Sequence, residues 1–222
     1  MSEIVVHHLE KSRSHRVLWL LEELGVEYEL KLHRRHPETI RAPAALRDIH
    51  PLGKAPVVVI DGEVFAESGA IIEHCAETLG DGSLRPPPGS PAARQYRYWM
   101  HYAEGSLMPP LLVRLIFDRV AAAPLPFFIK PIAKGVVAKV EKGYTGPELA
   151  LHMEFLDDHL GRHDFFAGDE FSAADIQMSY PVESALARAR VAKPTPHIAA
   201  WAKRVQGRPG YARATERGGP NR

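Results

Sequence analysis

The stretch Asp81-Gly82-Ser83-Leu84-Arg85-Pro86-Pro87-Pro88-Gly89-Ser90-Pro91 divides the chain into two parts whose apolar residues recur with different periods. Three consecutive prolines hold an extended, stiff connector that neither helix nor sheet can absorb. Strand-like and helix-like runs alternate before it. After it no alternating β-rich run occurs. A chain divided in this way is predicted to fold as a small α/β domain over 1–81, a linker over 82–91 and a larger all-helical domain over 92–222.

The first part is readable element by element. Ile4 to Leu9 reads as a short buried strand. Ser14 to Leu24 then has helical period, with Val17, Leu18, Leu20, Leu21 and Leu24 on one stripe and Glu22 and Glu23 facing outward, and Gly25 closes it. Val26 to Leu32 alternates Tyr28, Leu30 and Leu32 against charged residues, as a strand with one wet face does. The strand-helix-strand order implies a parallel pair. After a looser segment with a weak helix near Pro43 to Asp48, Val57–Ile60 and Glu63–Ala66 are two strands joined by the hairpin signal Asp61-Gly62. Glu67 to Leu79 is helical, with Ile71, Ile72 and Cys75 inward. The sum is a four-stranded mixed sheet with helices.

Beyond the linker, Ala92 to about Ala123 is one helical pattern that Pro109-Pro110 should bend or break. Further helices are predicted at Phe127 to Tyr144, Pro147 to Leu160, Ser172 to Arg190 and Pro196 to Val205. Ser172 and Asp175 have the spacing of a capping box, with Phe171 before it as a hydrophobic staple.

Composition narrows the function classes. Lys and Arg number 28 against 27 Asp and Glu, so there is no basic footprint for nucleic acid. Cys75 is the single cysteine, which excludes an internal disulfide and a thiolate zinc cluster and points to a reducing, cytoplasmic home. No apolar run reaches the ~18 residues of a membrane span. His7 and His8 point to opposite faces of a strand and cannot share a metal.

Three junctions carry polar groups suited to one ligand. Ser12-Arg13-Ser14 follows the first strand at a helix amino terminus, where Ser12 or Ser14 can donate a hydrogen bond to an anion or thiolate, or cap the helix. Arg13 and Arg16 can steer a carboxylate, although arginines at such positions are usually solvated. Lys54-Ala55-Pro56 enters an apolar strand; a cis Pro56 would turn the main chain of Ala55 toward a peptide-like ligand, and a trans proline would merely begin the strand. Glu67-Ser68 opens the third helix with a carboxylate, a hydroxyl and free amides, a set that suits a zwitterion, or Ser68 simply caps. Trp99, Tyr102, Met108 and Phe117 are either an apolar cleft wall or core.

Taken together, Ser12 to Gly25, His50 to Val57 and Glu67 to Ile71 resemble the glutathione S-transferase superfamily, in its serine-type bacterial and fungal form, over nearly the whole chain. The resemblance implies a thioredoxin-like first domain and a helical domain that contributes a hydrophobic substrate site. It implies glutathione as co-substrate, with Glu67 and Ser68 on its γ-glutamyl end, Ala55 before a cis Pro56 on its cysteinyl backbone, and Lys54 and His50 at its glycyl carboxylate. Arg13 belongs to the same binding set, and Ser12, with Ser14 second, is implied to stabilise the thiolate. Conjugation to a small hydrophobic electrophile, detoxification and a homodimer are expected. A glutathione-dependent peroxidase or disulfide reductase, or a non-catalytic glutathione binder, are the alternatives.

Overall fold

The computed structural model describes residues 2–189 and 193–220. Strands β1 (Ile4–Leu9), β2 (Glu29–His33), β3 (Val57–Ile60) and β4 (Glu63–Ala66) form one mixed sheet in the order β2-β1-β3-β4. β1 runs parallel to β2 and antiparallel to β3, so it has sheet neighbours on both sides, and all six of its residues, His7 and His8 included, are buried. The β3–β4 hairpin turns at Asp61 (φ 49°) and Gly62 (φ 85°), two successive left-handed residues that fit the twist of the strands they join. β2 lies at the sheet edge, which explains why Leu32, predicted to face inward, is 49% exposed.

Helix α1 (His15–Leu24) buries its predicted stripe and ends at Gly25, whose φ of 65° lets its N–H reach the Leu21 carbonyl. Helix α2 (Ser68–Thr78) holds Cys75 inside, and burial pushes that thiol up to about 12.

The second part is helical throughout its regular structure. Helix α3 (Pro91–Tyr102) is capped by Ser90, whose Oγ accepts the Ala93 N–H at 3.0 Å. The expected break follows as a wide turn over Ala103–Leu107, where the Met108 N–H reaches back five residues to Ala103. Helix α4 (Met108–Ala122) then starts with Pro109 and Pro110 in its first turn, where no amide donor is required. Helices α5 (Lys130–Val140), α6 (Gly146–Leu160), α7 (Ala173–Arg188) and α8 (Pro196–Gln206) complete the predicted set, with a second wide turn over Glu141–Thr145. Arg190, the predicted end of α7, lies outside the described residues.

α7 is the axis of the molecule, touching α1, α2, α3, α4 and α8. Its small residues Ala173, Ala174, Ser179, Ser184 and Ala185 are all buried and allow this close surround. Asp175, wholly buried, accepts from Ser172 N (3.0 Å), Phe166 N (3.0 Å) and Trp201 Nε1 (2.9 Å), so it pins the start of α7 to the preceding loop and to α8. The linker joins this point too, through Ala173 N donating to Leu84 O at 2.9 Å. Phe171 lies against Trp19 of α1.

One helix was not announced by the apolar pattern. α9 (Pro209–Gly218) has few large apolar residues and binds through close approach and charge. A Cβ on Gly218 would lie 2.4 Å from Leu18 Cδ1, and one on Gly210 2.6 Å from Glu23 Oε1, so a side chain at either position would displace the Leu18 or Glu23 side chain of α1. Arg208 pairs with Glu23 at 2.8 Å, and Arg213 and Arg217 pair with Glu22 at 2.8 and 3.1 Å. Glu22 and Glu23 therefore face a helix and not water, which corrects the expectation of an open outer face on α1. His15 completes the seam, its Nε2 3.1 Å from Thr215 Oγ1.

Two measurements check this packing. Asp175→Ala strands three buried donors and should cost about 3–5 kcal/mol, read as a fall of roughly 10 °C in Tm. Burial lowers His15 to about 4 in the folded chain, against about 6.5 unfolded. The unfolded chain thus binds the proton first, and stability should fall as pH drops from about 6.5 toward 4. His15→Gln should flatten that acid limb in denaturant titrations.

Candidate active site

β1 delivers its carboxyl end to the amino end of α1, and the loop between them holds two serines in one hydrogen-bonded group. Ser14 occupies the cap position of α1 but makes no capping bond with its side chain. Its Oγ turns back instead, accepting the Leu9 N–H at 3.1 Å and lying 2.8 Å from His8 Nδ1 and 2.8 Å from Ser12 Oγ. The Ser12 hydroxyl has the Leu9 carbonyl at 2.7 Å. Ser14 is sealed from solvent, whereas Ser12 forms part of the wall of a cavity of about 650 Å³. The two serines are brought together, and Ser12 is the one that meets open space.

A second cavity, of about 320 Å³, adjoins the first, and both are lined by Arg13, Leu52, Lys54 and Ala55. The Ala55–Pro56 bond is cis. Among the described residues no backbone–backbone hydrogen bond uses the main chain of Ala55. His50 and Lys54 lie along this second cavity, and Glu67, Ser68 and Glu104 line it as well. Glu67 has a φ of 69°, costly for a side chain of its kind and tolerated mostly where a site demands it. Ser68 is the first residue of α2, not its cap; its Oγ accepts from Arg16 at 2.8 Å.

Arg16 overturns the expectation of a solvated arginine. Its side chain is wholly buried and donates to three elements: Ser68 Oγ, Glu104 Oε1 at 2.7 Å, and the Gln177 carbonyl at 2.6 Å. That carbonyl is available for a covalent reason. In a regular helix Gln177 O would accept from the residue four positions on, which is Pro181, and proline has no N–H. Glu104 also accepts from Arg13 Nε at 3.1 Å. Burial works against its ionisation, but Arg16 and Arg13 hold its carboxyl below the usual range. Tyr180 lies under both guanidinium groups, 5.2 Å from Arg13 and 5.6 Å from Arg16.

The two cavities differ in charge. The first carries Arg35, Arg41 and Arg47 besides Arg13 and Lys54, and no carboxylate is among its lining residues. The aromatic candidates Trp99 and Tyr102 lie in the core, packed with Phe155, and Met108 is buried. An exposed apolar face near the site is on α4, where Leu112 and Ile116 stand one turn apart and Leu112 borders the second cavity.

Residues 12–78 match the model of the glutathione S-transferase N-terminal domain, and residues 120–209 that of the C-terminal domain. "Glutathione S-transferase 3" of Schizosaccharomyces pombe is 38% identical over 215 residues, covering 96% of this chain and 87% of the relative. The chain belongs to the glutathione S-transferase family. "Glutathione S-transferase 1" of Saccharomyces cerevisiae is 32% identical over 96% of this chain and 94% of its own length. The crystal structure of a glutathione S-transferase from Actinobacillus pleuropneumoniae superposes with a TM-score of 0.80 at 30% identity, covering 97% of this chain and 92% of that one. A glutathione transferase homologue from Sulfitobacter, solved with glutathione bound, shares the fold at a TM-score of 0.77 and 19% identity, over 99% and 100% of the two chains.

Within this transferase fold, Glu104 and Tyr180 are not marked as site residues by the sequence, nor is the burial of Arg16. Pro181 was the available signal, since a proline inside an apolar helical run frees one carbonyl for an outside donor. Glu104 gave none, because the wide turn that aims it has no sequence mark beyond the prolines after it.

Removing Glu104 should expose the cost of the buried cation. Glu104→Ala is expected to lower the unfolding free energy by about 2–4 kcal/mol, less than for a fully buried pair because Glu104 is partly exposed. Guanidinium denaturation of both proteins measures it.

Proposed function

We propose that this family member is a glutathione transferase in which Ser12 stabilises the glutathione thiolate for attack on an electrophilic carbon. The observation that carries the reading is the position of Ser12: its hydroxyl is at the amino end of α1, in the wall of a cavity it shares with Ala55 and Lys54. A hydroxyl proton offered to sulfur favours the thiolate over the thiol and lowers its pKa. The chain supplies no covalent nucleophile of its own there, since Cys75 is buried in α2.

In this reading the tripeptide lies along the second cavity. Its γ-glutamyl ammonium and carboxylate meet Glu67, Ser68 and the free first-turn amides of α2, Arg13 holds the adjoining Glu104, and its glycyl carboxylate reaches Lys54 and His50. The unpaired main chain of Ala55 bonds the cysteinyl backbone. Holding the thiolate oriented beside a second reactant is the main catalytic contribution.

The second substrate is an electrophile with an apolar body against Leu112 and Ile116. The cations of the first cavity support an added preference for anionic substituents, and they also favour the alternative of glutathione disulfide as acceptor, which is itself an anion. A homodimer and a reducing, cytoplasmic location with a role in detoxification belong to the same proposal; among the described residues no helix is long and apolar enough to cross a membrane.

Ser12→Ala tests the assignment. The pKa of bound glutathione, followed by the ultraviolet thiolate band, should rise by about one to two units, and kcat/KM toward aryl halides should fall ~10²-fold. Affinity for glutathione should change by less than about threefold, because the binding groups lie elsewhere. An unchanged thiol pKa would remove Ser12 from the mechanism.

A further inference from the structure

The hydroxyl pair at the amino end of α1 does not end at Ser14. His8 Nε2 lies 2.9 Å from the carbonyl of Gly218 in α9. A carbonyl can only accept, so Nε2 carries a proton, and in the neutral ring Nδ1 is then an acceptor. The contact of 2.8 Å between His8 Nδ1 and Ser14 Oγ therefore has Ser14 as donor. With its one proton on His8 and not on the Leu9 carbonyl 3.1 Å away, Ser14 accepts from the Leu9 amide at 3.1 Å and presents a lone pair to Ser12, whose own single proton faces two acceptors, Ser14 Oγ at 2.8 Å and the Leu9 carbonyl at 2.7 Å. When the Ser12 proton turns from the Leu9 carbonyl to Ser14, the neutral chain runs from Ser12 to Ser14 to His8. Its cavity end is an oxygen lone pair on Ser12, and its inner end is a base closed off from solvent.

We propose that His8 is a positioning residue that receives the thiol proton of glutathione through Ser14 and Ser12, reversing the direction of the hydroxyl chain. The inference rests on the reading that Ser12 meets the glutathione sulfur. The thiol S–H donates to Ser12 Oγ; the Ser12 proton passes to Ser14 Oγ, and the Ser14 proton passes to His8 Nδ1. Three O–H or S–H bonds break and three O–H or N–H bonds form. The products are a thiolate that accepts a hydrogen bond from Ser12 and an imidazolium that donates to Ser14 Oγ and to Gly218 O. No bulk water enters, and each serine ends with one proton.

The surroundings of His8 suit both states. Burial lowers its basicity and keeps it neutral at rest, with the Gly218 carbonyl and Ser14 acting in the opposite sense. The ionisable groups facing it are His33 of β2, Glu10 beyond β1 and His15 of α1. His15 is held to about 4 and stays neutral, burial also lowers His33, and Glu10 favours a charged His8. The new thiolate, two hydroxyls away, adds the attraction that the resting site lacks.

The decisive measurement is nitrogen NMR of the His8 ring in the full-length protein at pH 7, with glutathione and with S-methylglutathione, which has no thiol proton. The proposal expects a neutral ring with Nε2 protonated in the free protein, an imidazolium with glutathione and a neutral ring with S-methylglutathione. A neutral His8 beside a fully developed thiolate band overturns the relay and leaves the role of Ser12 standing. Failure of the thiolate band to appear overturns both. In kinetics, His8→Gln should lower kcat/KM ~10-fold at pH 6.5 and move the pH midpoint upward, with KM for glutathione within about twofold. An equal loss at every pH would show that His8 only supports α9, and would overturn the proposal.

Discussion

A single buried guanidinium sets where the parts of this molecule stand relative to one another. Arg16 leaves α1 pointing away from solvent, and taking such a charge out of water costs several kcal/mol unless its donors are all used. Here each nitrogen has a partner: Nη2 donates to Ser68 at the start of α2 and to Glu104 in the wide turn, Nη1 to Gln177 in α7, and Nε to the Arg13 carbonyl at 3.5 Å. The amino ends of α1 and α2 are thereby fixed to each other and to the helical part by one planar group. Pro181 makes this possible by withdrawing an amide, so a residue that usually weakens a helix supplies the acceptor for its neighbour. Ser68 and Glu104 thus have structural partners before any ligand arrives, which limits their freedom to move around it.

Much of the architecture was legible because period and punctuation agree. The β-branched run Val57–Ile60 and the Asp61-Gly62 turn can hardly form anything but a hairpin, and both appear as read. All four strands precede the proline-rich linker and only helices are regular after it among the described residues, and Ser172 with Asp175 begins α7. What failed to show was held by approach and charge. α9 was missed because its binding face is glycine and alanine and its arginines look like a solvated surface, so the carboxylates of Glu22 and Glu23 were assigned to water. Arg16 was misread for the same reason, since one charged residue beside a helix start carries no mark of burial. At the site, the sequence supplied both serines but not their order of depth. That order follows from a backbone turn that carries Ser14 under Leu9 while leaving Ser12 in the cavity wall.

The paired cavities form a trough with opposite electrical ends. Glu67 and Glu104 border the part near α2, whereas Arg35, Arg41, Arg47 and Lys54 surround the part below the Ser12 loop. Arg35 is itself spent on three carbonyls, those of Glu10, Lys11 and Ile40, and so ties the loop after β1 to the segment after β2. The field near Ser12 is therefore built partly from groups whose first task is to hold loops together. An anion held in that cavity would meet this field together with Arg13, the residue next to Ser12.

The bond between His8 and Gly218 joins positions 210 residues apart. During synthesis the sheet and α1 leave the ribosome long before α9 exists, so the first strand must wait for nearly the whole chain before its histidine gains this partner. Contacts of such separation form late in folding. The hydroxyl group at the mouth of α1 is then complete only in molecules that have been made and folded through residue 218. Chemistry at the amino-terminal domain becomes, in this way, a report on the integrity of the opposite end.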